Sequence, residues 1–207
     1  MGTKGTSRHP FPFVCGYRNA LKFCALHFIF YGDAIMQLVK DASTVSADGK
    51  SKQQLIEGVQ VRQAITQVDE RGTLTEILNP GWGFADFPIV YVYQATIRPG
   101  KIKGWVEHHL QTERLFISQG HLKWALYDNR PNSPTYKMVN VIYQSELNRA
   151  MIVIPTHVMH AVQNIGTTEA TFINMPSEPY DHENPDKYRL PIDNDIIPFR
   201  FDDKPGW

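Results

Sequence analysis

Residues 114–144 read "RLFISQGHLKWALYDNRPNSPTYKMVNVIYQ". Three apolar runs, "RLFIS", "HLKWALY" and "MVNVIY", each alternate at period two, and the turn signals "SQGH" and "DNRPNSP" separate them. Period two puts successive side chains on opposite faces of a strand, whereas a helix needs apolar residues three and four apart. The pattern continues outward in "GVQVRQAI", "IVYVYQATI", "MIVIP", "HAVQNI" and "ATFIN", with further turns at "ERG", "RPGK" and "NIGTTE". Several short strands at such spacing predict an all-β sandwich or barrel. No long helical period competes with them and no internal repeat is visible. The barrel is placed at residues 56–176, after an extension and linker at 1–55. A Pro- and Asp-rich tail at 177–207 is expected to pack on it irregularly.

Composition narrows the partners. With 207 residues and 42% apolar content, the chain suits one sizeable core. Lys+Arg and Asp+Glu balance at 21 each, which leaves no cationic excess for a nucleic-acid backbone or an anionic membrane. Cys15 and Cys24 lie outside any CxxC spacing, so a reducing, cytoplasmic setting is expected. The apolar stretch "FPFVCGYRNALKFCALHFIFYG" is interrupted by Arg18, Lys22 and His27, too early for the roughly 20 residues of a membrane-spanning helix. It reads as an extension without catalytic consequence. Because Met36 opens an ordinary polar start, residues 1–35 are compatible with an upstream start codon.

Chemistry concentrates in "GWVEHHLQTERLFISQG" (104–120). On a strand, Glu107 and His109 point one way and His108 the other, and Glu113 joins Glu107 and His109 if the chain turns once between them. "IPTHVMHAVQN" places His160 on another strand. The spacings E-x-H-x3-E-x6-G and P-x4-H-x3-N resemble the two motifs of cupins. Glu107 stands where metal-binding cupins have His, and His157 where the second motif has Gly. The resemblance implies a jelly-roll barrel, the double-stranded β-helix of cupins, whose open end forms a ligand pocket. Three readings follow: a metal site of Glu107, His109, Glu113 and His160; a metal-free site with a histidine base; or polar surface.

More of the chain resembles the dTDP-4-dehydrorhamnose 3,5-epimerase family. "VDERGTLTEIL" (68–78) is similar to its D-x-R-G opening, "YDNRPNSPTY" (127–136) to its D-x-R-x2-S-P-T-[FY] turn, and "IPTHVMHAV" (154–162) to its I-P-x2-[FY]-x-H segment. The resemblance covers roughly residues 57–200. It implies a homodimeric, metal-free cupin that needs no cofactor and acts on a dTDP-linked 4-keto-6-deoxy sugar. A histidine removes a proton beside the ketone and a tyrosine returns one on the opposite face. Arg71 and Glu76 match nucleotide-holding positions; Lys103 replaces an arginine. Arg130 and Asn174 are further candidate substrate contacts, although Asp128 beside Arg130 reads as structural.

The chain also departs from that pattern. The histidine motif R-G-x-H-x-Q has become "KGWVEHHLQ", so the base is His108 or His109 according to where an insertion falls. A family lysine near the enolate falls at Glu113. The acid tyrosine falls at or next to Asn174, which leaves His160 or Tyr180 as candidate donor. The aspartate that orients the histidine belongs to a C-terminal segment without an evident counterpart. Two substrate-contacting amides map onto Tyr91 and Tyr93. A sugar-nucleotide epimerase or isomerase is therefore expected, with a metal-dependent cupin enzyme or a non-catalytic sugar-binding cupin as alternatives. His121 and His182 read as surface, and Trp105 and Trp124 as core or stacking platforms.

Overall fold

The computed structural model describes residues 27–31 and 34–201, which fall into two compact units, 1–53 and 54–207. In the first, β1 (His27–Tyr31) pairs antiparallel with β2 (Ala34–Leu38), and Val45 bridges Ser51 across a turn. The apolar stretch and the upstream-start reading lie outside the described residues apart from these strands. No helix among the described residues is long and apolar enough to cross a membrane.

The second unit is built from β3 (Gln60–Gln63), β4 (Thr66–Asp69), β5 (Gly72–Thr75), β6 (Tyr93–Ile97), β7 (Ile102–Glu107), β8 (Glu113–Gln119), β9 (Leu122–Asp128), β10 (Val139–Gln144), β11 (Ala150–Ile154), β12 (Val158–Asn164), β13 (Ala170–Asn174) and β14 (Tyr188–Arg189). Two five-stranded antiparallel sheets form, in the orders β10-β9-β12-β7-β14 and β3-β11-β8-β13-β6. This is the jelly-roll barrel of the cupins. The eight apolar runs each overlap a strand. β7 is not among them, because Lys103 and Gly104 break its apolar character, yet pairing to β12 makes it a strand. The "ERG" turn is flanked by the paired strands β4 and β5, whose mostly exposed residues carry no burial signal.

Between the sheets the inward positions meet in one core around Leu115, Ile117, Trp124, Leu126, Ile152 and Phe172. Strand alternation sends Trp105, Ala125, Tyr127 and Met159 to the outer face of the first sheet, where Ile197 and Phe201 of the tail cover them. Trp105 and Trp124 are 0% and 1% exposed, so both are core residues. The outer face of the second sheet carries Phe116, Met151 and Met175, packed by Ile77, Leu78 and Phe84. Arg114 ties that covering segment down through the carbonyls of Ala85, Phe87 and Pro88.

β7 contains the irregularity that matters most. Val106 pairs with His160 and Lys103 with Val162, so three steps on β7 oppose two on β12. One extra residue at Gly104–Trp105 is a β-bulge, which bends the strand and re-aims its side chains. Gly104 suits this place because a Cβ there would lie 2.9 Å from Ile192 Cδ1.

The D-x-R…SPT turn is structural. Asp128 accepts hydrogen bonds from Arg130 Nε (2.8 Å), Ser133 Oγ (2.6 Å) and Thr135 Oγ1 (2.6 Å), while Arg130 also donates to the Glu57 carbonyl (2.6 Å). Arg130, expected to contact substrate, is placed by the structure in this turn, outside the lining of the cavity between the two sheets. Burial alone would raise the Asp128 carboxyl, but the donors from Arg130, Ser133 and Thr135 outweigh it and hold it well below the usual carboxylate range. A depressed carboxyl contributes stability above its unfolded value, near 3.8, that is lost as pH falls through the lower folded value. Asp128→Ala strips the buried turn of its acceptor, and thermal unfolding at neutral pH is expected to show a loss of about 3 kcal/mol.

Candidate functional site

A cavity of about 410 Å³ opens between the two sheets. One wall carries Lys103, Val106 and His108 from the β7 segment and His160 and Val162 from β12; the other carries Tyr93, Glu113, Phe172 and Asn174. The bulge makes this set possible. With strict alternation Lys103 and Val106 would face opposite ways, and with the extra residue both face the cavity, followed by His108.

His108 is 5% exposed and held from both ends. Its Nδ1 faces the backbone carbonyl of Asp186, and its Nε2 lies 3.1 Å from Glu113 Oε1. The Asp186 carboxylate in turn accepts from the backbone N–H groups of His109 (2.9 Å), Leu110 (2.8 Å) and Gln111 (3.1 Å). Burial pushes the Asp186 carboxyl up, but these three donors prevail and keep it below its ordinary value. The segment carrying Asp186 therefore anchors His108, through a backbone carbonyl that any residue type would supply rather than through a carboxylate. Nothing in the aperiodic "YDHENPDKYRL" announces it.

Glu113 is 2% exposed and is surrounded by donors: the Gln111 amide reaches Oε1 and the Asn174 amide reaches Oε2. Asn174 also donates to the Tyr93 hydroxyl at 2.8 Å, and its buried Oδ1 has no hydrogen-bond partner among the described residues. Burial, reinforced by the Glu113 charge, pushes the Tyr93 phenol up to about 12, so it stays protonated at neutral pH. Sequence reasoning placed Tyr93 only at a substrate-amide position. The signal for an inward tyrosine was the alternation of Tyr93, Ala95 and Ile97 on one face of β6.

His160 is the second imidazole of the cavity, 5.6 Å from His108 between ring centroids. Burial first, then the proximity of His108, lowers it to about 3, so it is neutral at working pH. Its Nδ1 lies 3.3 Å from the Val158 carbonyl, which fixes a proton there and leaves Nε2 as an acceptor.

Several expected site residues lie elsewhere. Glu107 and His109 point away from the cavity as the alternation predicts, whereas Glu113 joins His108 rather than them. The four-ligand metal set Glu107, His109, Glu113 and His160 is thus split between two faces of β7 and does not converge. His109 Nε2 donates to Glu107 Oε1 at 2.8 Å and its ring stacks on Tyr188 at 3.7 Å, which places it outside the cavity that His108 lines. Tyr180 packs on His182 beside a separate cleft lined by Leu110 and Gln111, outside the cavity. Arg71 sits exposed at the β4–β5 turn, paired with Asp69, and Glu76 borders a small pocket with Arg62 and Trp82. Of the predicted substrate contacts, Lys103 and Asn174 line the cavity. Lys187 and Arg189 line it too, and sequence reasoning missed both. His121 and His182 are exposed.

The family described as "Polysaccharide biosynthesis C-terminal domain" matches residues 67–188. The chain is 31% identical over 139 residues to the probable low-salt glycan biosynthesis epimerase Agl13 of Haloferax volcanii, covering 67% of this chain and 89% of the relative. It is 30% identical over 153 residues to the spore coat polysaccharide biosynthesis protein SpsL of Bacillus subtilis, covering 71% and 97%. Among solved structures, a dTDP sugar isomerase from Desulfovibrio desulfuricans G20 superposes with a TM-score of 0.64 at 25% identity, over 70% of this chain and 90% of that one. The dTDP-4-dehydrorhamnose 3,5-epimerase of Bacillus anthracis shares the fold, with a TM-score of 0.64 at 17% identity over 72% and 88%.

The neutral His160 has a measurable consequence. Its folded value lies below the unfolded 6.5, so the unfolded chain takes up a proton that the folded chain refuses between 6.5 and about 3. Its contribution is complete above 6.5 and shrinks as pH falls through that window. Thermal melts across it should show parent stability dropping with acidification, and His160→Gln should flatten that slope.

Proposed function

Because the chain belongs to the polysaccharide biosynthesis C-terminal domain family, as a divergent member of the dTDP-4-dehydrorhamnose 3,5-epimerase-like cupins, we propose that it is an epimerase or isomerase of a dTDP-linked 4-keto-6-deoxy sugar. The observation that carries the reading is the hydrogen-bonded series His108, Glu113, Asn174, Tyr93, which sets two proton-handling groups from different sheets into one cavity. His108, its Nδ1–H braced by the Asp186 carbonyl, takes the proton from the carbon beside the ketone at Nε2, and the adjacent Glu113 carboxylate steadies the imidazolium that forms. The C–H electron pair becomes the enolate, with charge on the former ketone oxygen. Tyr93, kept protonated by burial, returns a proton to the opposite face of that carbon, and exchange with solvent restores both groups.

The remaining lining residues suit binding. Lys103 is the cation available to the developing enolate oxygen. Lys187 and Arg189 receive the diphosphate, for which an exposed cationic rim is suited because the ligand carries its own charge. His160 Nε2 and Asn174 Oδ1 are acceptors for sugar hydroxyls. Arg71 and Glu76 are not needed for these contacts within one chain. We further read the protein as a cytoplasmic homodimer: β3 and β6 are open sheet edges, and the exposed Ile89, Val90 and Val92 lead into β6.

Incubation with a dTDP-4-keto-6-deoxyhexose in D₂O is expected to place solvent deuterium next to the ketone, followed by mass spectrometry. Absence of any incorporation into such sugars removes the proposal. His108→Asn should lower exchange by about 10²- to 10⁴-fold. Tyr93→Phe should retain exchange and lose inversion, since the base survives and the opposing donor does not. Lys187→Ala and Arg189→Ala should raise KM by roughly 10-fold each with kcat little changed, the pattern of lost uniform binding.

A further inference from the structure

On the outer face of β7, away from the cavity, one carboxylate oxygen faces two imidazoles. Glu107 Oε1 lies 2.8 Å from His109 Nε2 and 3.6 Å from His157 Nδ1. Donor atoms of the three residues all fall within 4.8 Å of one another, and no other group of three His, Cys, Asp or Glu among the described residues meets that condition. We propose that Glu107, His109 and His157 form a site for a divalent transition metal ion, with zinc the ion best matched to two imidazole nitrogens and one carboxylate oxygen.

Four features support it. A tetrahedral zinc with bonds of about 2.0–2.2 Å keeps its donors roughly 3.3 Å apart, and the two measured separations straddle that figure. Glu107 is 7% exposed, and its other oxygen accepts from Asn129 Nδ2 at 3.0 Å, an outer contact that fixes the carboxylate as metal ligands require. The His109 ring is held between Tyr188 at 3.7 Å and His157 at 4.4 Å, so two of the three donors are oriented by packing. His157 itself sits at φ 60°, a left-handed conformation unfavourable for a residue with a Cβ, and this conformation accompanies a ring turned toward Glu107. The fourth position faces outward and would take water.

The site is distinct from the cavity but mechanically joined to it. The His157 N–H donates to the His108 carbonyl at 2.8 Å, and Glu107 and His109 are its chain neighbours. An ion bridging all three would pin the backbone of His108 from the side opposite its ring. The inference rests on this geometry alone and stands whether or not the epimerase reading holds.

Calorimetric titration of the chelator-treated full chain with Zn²⁺ tests it, with Co²⁺ and visible absorption as a second probe. One ion per chain is expected, with a Zn²⁺-dependent rise in Tm. His157→Asn, which tolerates the left-handed backbone, and His109→Gln should each weaken binding by at least ~10-fold and remove the Co²⁺ ligand-field bands. His160→Gln should titrate like the parent. Parent binding no stronger than that of His157→Asn overturns the proposal, as does binding that survives His157→Asn and vanishes with His160→Gln.

Discussion

A single extra residue in β7 determines the chemistry of both faces of this barrel. Because three steps from Lys103 to Val106 oppose two from Val162 to His160, every side chain after the bulge is reversed from simple alternation counted from Lys103. Lys103 and His108 therefore share the cavity, and Glu107 and His109 share the outside. Without the bulge, either the cation or the histidine would leave the cavity. Gly104 also leaves room for Ile192, whose Cδ1 would lie 2.9 Å from a Cβ there.

Two carboxylates near His108, those of Glu113 and Asp186, are held by fixed hydrogen-bond donors. Glu113 receives two side-chain amides, and Asp186 receives three backbone N–H groups. Fixed donors of this kind compensate a buried carboxylate for its lost hydration. The same low-dielectric surroundings act oppositely on the neutral-favouring groups, raising Tyr93 and lowering His160. One environment thus separates a protonated phenol from an unprotonated imidazole, with His108 between them.

Most of the barrel was legible because its strands are short apolar runs bounded by turn signals; Leu122–Asp128 and Ala150–Ile154 are buried along their whole length. β4, β5 and β7 were harder because nothing forces their exposed or bulged positions to be apolar. Of the candidate residues named from motif spacing and family resemblance, His108, His160, Lys103 and Asn174 line the cavity. The choice between His108 and His109 was not fixed by spacing, since it depends on where the bulge absorbs the inserted residue. Tyr93 was overlooked because its role arises from Asn174, 81 positions away. Asp186, Lys187 and Arg189 lie in a segment whose two-residue strand carries no period at all.

The last of these has a consequence for how the molecule becomes competent. The carbonyl that holds His108 comes from a residue 78 positions further along the chain, and β14 joins the sheet only as an edge on β7. The other nine strands of the two sheets can pair, and the inner core can close, before residues 186–189 have any place to dock. Folding of the barrel and completion of the site are then separate events, the second a late, low-cost docking of a short edge segment after a long loop closure. A chain clipped between residues 178 and 185 would retain a barrel with its cavity, yet His108 would no longer be anchored by a covalently attached tail.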